Sequence, residues 1–229
     1  MVFRRFEPSL LRFLEELKDN NCRSWFQANK TRYEREVLEP SLAFIRAFGP
    51  RLRRISPLFV ASDQRVGGSL MRVYRDTRFG KDKTPYKTNV GIQFRHEFGR
   101  DVHSPGFYLH IEPSEFFLAM GVWRPDREAL NKIRQAILEW PARWKRALGA
   151  AKFRQMKCVL VGDSLKKPPR DCPVDHPLIE DLKRTDFVAL RELQQGDVFG
   201  EKFPDLVAES FAASRSLMRF LCEALSLPF

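Results

Sequence analysis

The stretch GFYLHIEPSEFFLAMGVW at positions 106–123 decides the fold of this chain. Residues 106–112 alternate apolar with polar side chains, which is the period of a strand that buries one face. Residues 115–123 are nearly all apolar, a pattern typical of a central strand that is covered on both sides. The intervening turn, residues 112–114, is short enough to pair the two strands as a hairpin.

A third strand is predicted upstream of the hairpin. Residues 90–98 alternate as well, so we expect one buried face there. That face would comprise Val90, Ile92, Phe94 and Phe98. Between Ser56 and Asn89 the helical period disappears, and glycine and proline punctuate the chain, which indicates a loop with short strands.

Helical periodicity marks both ends of the chain. We expect helices over about residues 8–55, in a run that Pro40 should kink or split. Pro125 and Asp126 are expected to start another helix, and a further helix is expected at the C-terminus. Helices on both sides of an antiparallel sheet along the chain predict an α+β fold.

The chain is predicted to form a single domain, residues 1–229, because no internal repeat or clear linker divides it. A chain of this size can bury about 70% of the surface that its unfolded form exposes. The predicted parts are an N-terminal helical layer (about 8–55), a motif loop and sheet (about 56–123), and C-terminal helices and loops (about 124–229).

The balance of charge is basic, with 40 Lys and Arg against 29 Asp and Glu and a net charge of +11. This favours acidic partners such as an anionic small molecule or nucleic acid. Basic residues are spread through the whole chain, however, so solubility is an equally good explanation. No apolar run approaches the ~20 residues of a membrane helix, and the four cysteines have neither zinc nor redox spacing. We therefore expect a cytoplasmic protein with no membrane partner.

Residues 72–89, RVYRDTRFGKDKTPYKTN, hold the densest cluster of charge, with six basic and two acidic residues. Arginine binds phosphate or carboxylate through a planar fork of donors, so several arginines on an irregular segment can converge on one anion. We predict an anion-binding site here. Its ligand-binding residues would be Arg72, Arg75, Arg78, Lys83, Tyr86, Lys87 and Asn89.

The two acidic residues of this segment, Asp76 and Asp82, could orient the guanidinium groups, or hold a metal ion or a proton. Phe79 and Tyr86 could stack on a base or a sugar. The alternative is structural, because alternating opposite charges form salt-bridge networks that order a long loop. Exposed pairs of that kind contribute only ~0–1 kcal/mol each.

The same segment resembles the hallmark of a family of conserved hypothetical bacterial and fungal proteins, domain of unknown function 2461. The hallmark pattern is R-x-x-R-D-x-R-F-x-x-D-K-x-P-Y-K-x-[HN]. The matching positions are Arg72, Arg75, Asp76, Arg78, Phe79, Asp82, Lys83, Pro85, Tyr86, Lys87 and Asn89. Gly80 departs from the relatives, which often carry serine at that position.

Further stretches extend this resemblance over nearly the whole chain. They include Asn20-Asn21, Trp25-Phe26, Pro105-Gly106-Phe107-Tyr108 with His110, Trp123-Arg124-Pro125, His176-Pro177 and Asp186-Phe187. The family has no assigned activity. The resemblance therefore implies a fold shared with this family, and it does not imply a function.

His110 and Glu112 lie two residues apart on the polar face of a predicted strand, and Tyr108 joins them. Such a pair could exchange protons as a general acid and base, or bind a metal ion. The alternative is a histidine that is merely hydrogen-bonded within a sheet. We expect His96 and His103 to lie at the surface.

The function predicted from these residues is a binding pocket for a phosphorylated or other anionic ligand, formed by residues 72–89. An alternative is an enzyme acting on such a ligand, with catalytic candidates His110, Asp76, Asp82 and Glu112. A non-specific nucleic-acid binder and a protein-interaction adaptor are further alternatives. The sequence assigns no metal site, identifies no cofactor, and lacks the signatures of P-loop, dinucleotide-binding, α/β-hydrolase and zincin enzymes.

Overall fold

An antiparallel sheet lies at the centre of the computed structural model, which describes residues 3–78, 81–99 and 103–229. Five strands are found within these residues: β1 Val90–Arg95, β2 Gly106–Glu112, β3 Glu115–Val122, β4 Val159–Val161 and β5 Phe187–Glu192. Their order in the sheet is β1-β2-β3-β5-β4. Each neighbouring pair is antiparallel.

Helices precede and follow the first three strands, so the predicted α+β fold is confirmed. The N-terminal helices are α1 Ser9–Asp19, α2 Arg23–Ala28, α3 Lys30–Tyr33 and α4 Glu39–Ile55. The later helices are α5 Arg127–Glu139, α6 Pro141–Gly149, α7 Ala151–Gln155, α8 Ile179–Leu182, α9 Gln195–Val198, α10 Phe203–Ala213 and α11 Arg215–Ala224. Among the described residues, no helix combines the length and the apolar character of a membrane span.

Pro40 interrupts the N-terminal helical run, as predicted. It is the second residue of α4, and a π-helical turn, Glu34–Leu38, separates α4 from α3. Proline has no N–H to donate to the preceding turn, so the regular α-helical bonding pattern changes here. The hydroxyl of Ser41 donates to the carbonyl of Val37 at 2.6 Å. This bond gives a carbonyl of the π-helical turn a side-chain donor.

One face of the sheet is buried beneath helices. The predicted hairpin is present, with Glu112 opposite Glu115. The apolar side chains that alternate along β1 and β2 point to this face. Phe48 of α4 packs on Phe94 at 5.1 Å between ring centroids, and Phe211 of α10 packs on Phe107 at 4.7 Å. This face therefore forms the main core of the protein.

Three predictions about the strands need correction. Phe98 is 61% exposed, because β1 ends at Arg95 and the chain turns before the alternation reaches it. β3 is central, as predicted, but Phe117 and Ala119 on its second face are only partly buried. The predicted C-terminal helices and loops also contribute β4 and β5. β5 pairs along β3, and β4 pairs along β5, so this pairing stabilises the short strands, which have no clear pattern of their own.

His96 is buried, with 1% of its surface exposed, so its predicted surface position is wrong. Its Nδ1 accepts the N–H of Phe98 at 3.2 Å. Nε2 therefore carries the hydrogen, and it donates to the carbonyl of Pro228 at 2.8 Å. The histidine thus ties the C-terminal end of the chain to the end of β1.

Candidate functional site

The first part of the charged segment is an exposed loop in which opposite charges pair with each other. Arg75 Nη1 lies 2.6 Å from Asp82 Oδ2 and 2.7 Å from Thr84 Oγ1. Arg78 Nη2 lies 2.7 Å from Asp76 Oδ2. Two of the predicted anion-binding arginines therefore have carboxylate partners within the segment itself.

The two carboxylates of the segment are held in their ionised form. The side chain and then the backbone N–H of Arg78 lower the pKa of Asp76 to about 2. The backbone N–H and hydroxyl of Thr84, together with Arg75, lower the pKa of Asp82. Near neutral pH neither carboxylate has a proton to donate, and the lowered pKa makes each a weaker general base.

Lys83 also bonds within the loop, since its Nζ donates to the carbonyl of Thr77 at 2.8 Å. Tyr86 lies in the core with 2% of its surface exposed. Its ring stacks on Phe26 at 4.1 Å between centroids, and this contact occupies the face on which a ligand base would stack. The predicted stacking residue Phe79 and the variant position Gly80 lie outside the described residues.

Arg72 and Lys87 differ from the other basic residues of the segment. Burial, and then the charge of Arg72, lower the pKa of Lys87, so the two cations repel each other. Within residues 3–78, 81–99 and 103–229, neither side chain forms a salt bridge. An anion bound between them would offset this repulsion.

The open face of the sheet carries the second group of predicted residues. Tyr108, His110 and Glu112 alternate along β2 on this face. His110 Nε2 lies 3.2 Å from Glu112 Oε2, and its Nδ1 lies 3.1 Å from the hydroxyl of Tyr108. An ionised carboxylate only accepts, so Nε2 donates to Glu112 and Nδ1 accepts from Tyr108. The three groups form a chain of hydrogen bonds, which we call the Tyr–His–Glu chain.

Neighbouring side chains hold the Tyr–His–Glu chain in place. The ring of Phe117 on β3 stacks on His110 at 4.6 Å between centroids, with 8° between the ring planes. Thr88 Oγ1 donates to Glu112 Oε1 at 3.1 Å. Asn89 Nδ2 lies 3.5 Å from His110 Nδ1. The end of the charged segment and the predicted His110–Glu112 pair therefore meet at one site.

Tyr108 rests as a neutral hydroxyl. Burial, and then the charges of Glu112 and Glu115, raise its pKa to about 12. A Cβ atom at Gly91 would lie 2.7 Å from the Tyr108 hydroxyl oxygen, so this position on β1 must stay small. The sequence did not single out Gly91, although a glycine within a strand is a signal of a close approach.

A cavity of about 440 Å³ opens on this face of the sheet. Its lining is mainly apolar and includes Tyr108, Phe117, Ala119, Trp123, Val188 and Leu190. The volume falls in the range of small-molecule sites, which combine apolar walls with a few polar groups. Since Tyr108 lines this open-face cavity and contacts His110, one end of the Tyr–His–Glu chain faces the cavity.

His110, Glu112 and Glu115 form a donor set that could bind a divalent cation. One ligand atom from each lies within 4.8 Å of the others. Imidazole nitrogen and carboxylate oxygen are both ligands of zinc. Glu115 was not a predicted site residue. Its position opposite Glu112 follows from the two-residue hairpin turn.

Comparison with known proteins places the chain among proteins without an assigned activity. The family model described as Conserved hypothetical protein (DUF2461) matches residues 9–220. No curated protein matches the chain, and no solved structure matches it. The site itself is therefore the basis for an inference about function.

Proposed function

Since the chain belongs to the family of conserved hypothetical proteins DUF2461, whose description names no activity, we propose a function from the site alone. The protein is an enzyme that performs general acid–base catalysis on a small ligand in the open-face cavity. The observation that carries this proposal is that Tyr108 lines the cavity and bonds to His110, which bonds in turn to Glu112.

Each member of the Tyr–His–Glu chain has a distinct role. Tyr108 donates its proton to an oxygen of the ligand, and it regains a proton from Nδ1 of a protonated His110. Nε2 of that imidazolium stays bonded to the carboxylate of Glu112, at 3.2 Å. The reverse transfer, from ligand through Tyr108 to His110, uses the same hydrogen bonds. The high pKa of Tyr108 favours this role over that of a stable tyrosinate nucleophile.

The burial of the site supports the same proposal. The side chains of His110 and Glu112 are 13% and 25% exposed, so bulk water competes little for the hydrogen bond between them. Stacking on Phe117 fixes the imidazole plane. A positioned acid–base group of this kind contributes about 10²–10⁴-fold to a reaction rate.

The test is to incubate the protein in D₂O with a panel of small ketones, keto acids and esters and to measure their turnover. Proton NMR would detect both deuterium incorporation and hydrolysis. We expect turnover by the wild-type protein for at least one class, with a loss of about 100-fold or more in Tyr108→Phe and His110→Gln. Arg75→Ala, on the exposed loop, is the matched control and should keep the activity. Equal rates in all four proteins would overturn the catalytic role.

A second candidate function is the binding of an anionic small molecule between Arg72 and Lys87. The supporting observation is the repulsion between two cations that form no salt bridge among the described residues. Thermal-shift measurements with phosphate, nucleotides and short RNA, each at low and high salt, test it. A shift by a small anion that is lost in Arg72→Ala supports this site. A shift by RNA alone, lost at high salt, favours nucleic-acid binding instead.

A further inference from the structure

We propose that the ligand of the open-face cavity carries an anionic group, a carboxylate or a phosphate, which Arg124 binds at the rim of the cavity. This inference rests on the proposed function, because it assumes the same cavity. It adds the class of ligand and its orientation. The evidence comes from Trp123, Arg124 and Asp186, which lie on the side of the cavity away from His110.

Trp123 forms the rim. It is 49% exposed and lines the cavity, although it follows directly after the central strand β3. The guanidinium carbon of Arg124 lies 4.8 Å from the centre of its ring. His103 stacks on the same ring at 5.7 Å between centroids. The cavity thus has a large aromatic surface at its rim, and the cation Arg124 lies against that aromatic ring.

The backbone of Arg124 is held in a strained conformation. Its φ of 47° lies in the left-handed region, which is uncommon for residues other than glycine and is often found at functional sites. Its N–H donates to Asp186 Oδ1 at 2.8 Å. The other carboxylate oxygen accepts from the N–H of Asp163 and the hydroxyl of Thr185. Asp186 is 4% exposed, so a buried carboxylate fixes the backbone of Arg124.

The side chain of Asp186 is closely packed, which limits the movement of the residues at the rim. A Cβ atom at Gly162, which also lines the cavity, would lie 2.5 Å from Cβ of Asp186. The carboxylate oxygens of Asp186 accept from backbone N–H groups and a hydroxyl, and not from the guanidinium of Arg124 among the described contacts. Within the described parts of the chain, Arg124 forms no salt bridge. A guanidinium stacked on an aromatic ring keeps its in-plane donors for a carboxylate or a phosphate.

The end of the cavity near Tyr108 lies beside Glu112 and Glu115, whereas the other end has the guanidinium of Arg124 as well as the buried carboxylate of Asp186. Glu112 and Glu115 face each other across the hairpin, next to the bonded His110 and Tyr108, so an anion is disfavoured at that end. Tyr108 pairs with Ala119 across the strands, and Trp123 follows four residues later, about 13 Å along an extended chain. The ligand therefore has an apolar body, an oxygen near Tyr108 and its anionic group near Arg124.

The experiment compares three probes with one alkyl chain: decanoate, decyl phosphate and decan-1-ol. Their affinities for the wild-type protein are measured by calorimetry, and again for Arg124→Gln and Arg127→Gln. We expect at least one anionic probe to bind the wild type tenfold or more tightly than the alcohol. This preference should vanish in Arg124→Gln and persist in Arg127→Gln, which changes a nearby exposed arginine. The preferred anionic probe distinguishes a carboxylate from a phosphate ligand.

Equal binding of all three probes to the wild type, or an anion preference that survives in Arg124→Gln, would overturn the inference. Ala119→Phe, which fills the cavity, separates this failure from that of the proposed function. If Ala119→Phe abolishes the binding of all three, the cavity is a ligand site and only the anionic preference is wrong. If no probe binds the wild type, or Ala119→Phe has no effect, the cavity is no site for such ligands and both proposals fall. Circular dichroism and the thermal unfolding midpoint establish that each variant is folded.

Discussion

The side-chain amide of Asn21 pairs with the backbone of Tyr86, in the manner of a neighbouring strand. Nδ2 donates to the carbonyl of Tyr86 at 3.0 Å, and Oδ1 accepts its N–H at 3.1 Å. The pairing joins residues that are 65 positions apart. It lies beside the stack of Tyr86 on Phe26, so the N-terminal helices and the end of the charged segment are fastened together at one place.

Replacing Asn21 by alanine should destabilise the protein by about 2–3 kcal/mol, because two buried backbone groups lose their partners. Urea unfolding followed by circular dichroism measures this change. Asn20→Ala is the matched control. Within the described part of the chain, the Asn20 side chain bonds to the carbonyl of Glu16 alone, at the exposed end of α1, so its loss should cost less. Equal midpoints for the two variants would mean that the pairing with Tyr86 adds no net stability.

Replacing Arg75 by alanine should change the free energy of unfolding by less than ~1 kcal/mol, because its pair with Asp82 is exposed. The same urea measurement applies. If Arg75→Ala also weakens the binding of an anion, the arginine exchanges its carboxylate partner for a ligand. A loss of several kcal/mol, or failure to fold, would instead identify it as a structural residue that orders the loop.

Tyr108 should make the protein less stable as the pH rises from about 10 to 12. Its pKa is raised to about 12 from the usual value of about 10. In this window the folded state keeps a proton that the unfolded state loses, so stability falls as pH rises. Tyr108→Phe should reduce that loss by on the order of 2–3 kcal/mol, at 1.36 kcal/mol for each pKa unit.

Denaturant unfolding at several pH values across this window measures the effect. Tyr33→Phe provides a comparison, because burial also raises the pKa of Tyr33 to about 12 and its removal should flatten the same part of the curve. Ultraviolet absorbance of the tyrosinate ion gives an independent titration. A profile in Tyr108→Phe that matches the wild type would show that Tyr108 has an ordinary pKa.

Replacing Gly91 by alanine should push Tyr108 away from His110. The new Cβ would lie 2.7 Å from the Tyr108 hydroxyl and 3.1 Å from the sulfur of Met71, and overpacking of this kind costs about 1–3 kcal/mol. We expect lower stability and a weaker proton-transfer activity. Gly149→Ala is the control, because a Cβ there meets no atom within 4 Å. Its effect on the unfolding midpoint and on the activity should be small.

The hairpin and the meeting of His110 with Glu112 were predictable because a strand has a period of two, which places both on one face. An ion pair such as that of Arg75 with Asp82 was among the alternatives. Sequence spacing gives no side-chain conformations, so it could not distinguish an arginine that binds a ligand from one that pairs with a carboxylate. The cavity was not predicted. Its walls combine Trp123 with Val188, and their proximity depends on the pairing of β3 with β5, which no local pattern encodes.

The position of β5 beside β3 has a consequence for the order in which the protein assembles. The Tyr–His–Glu chain lies on a local hairpin and can form early, whereas β5 is separated from β3 by more than 60 residues of chain, and such non-local pairing is slow. Val188 and Leu190 of β5 line the cavity, so we expect a refolding chain to form the Tyr–His–Glu chain before the cavity is complete. If the cavity binds a ligand as proposed, the affinity should appear only once the sheet is complete. Binding measured during refolding should then report the docking of β5 and β4.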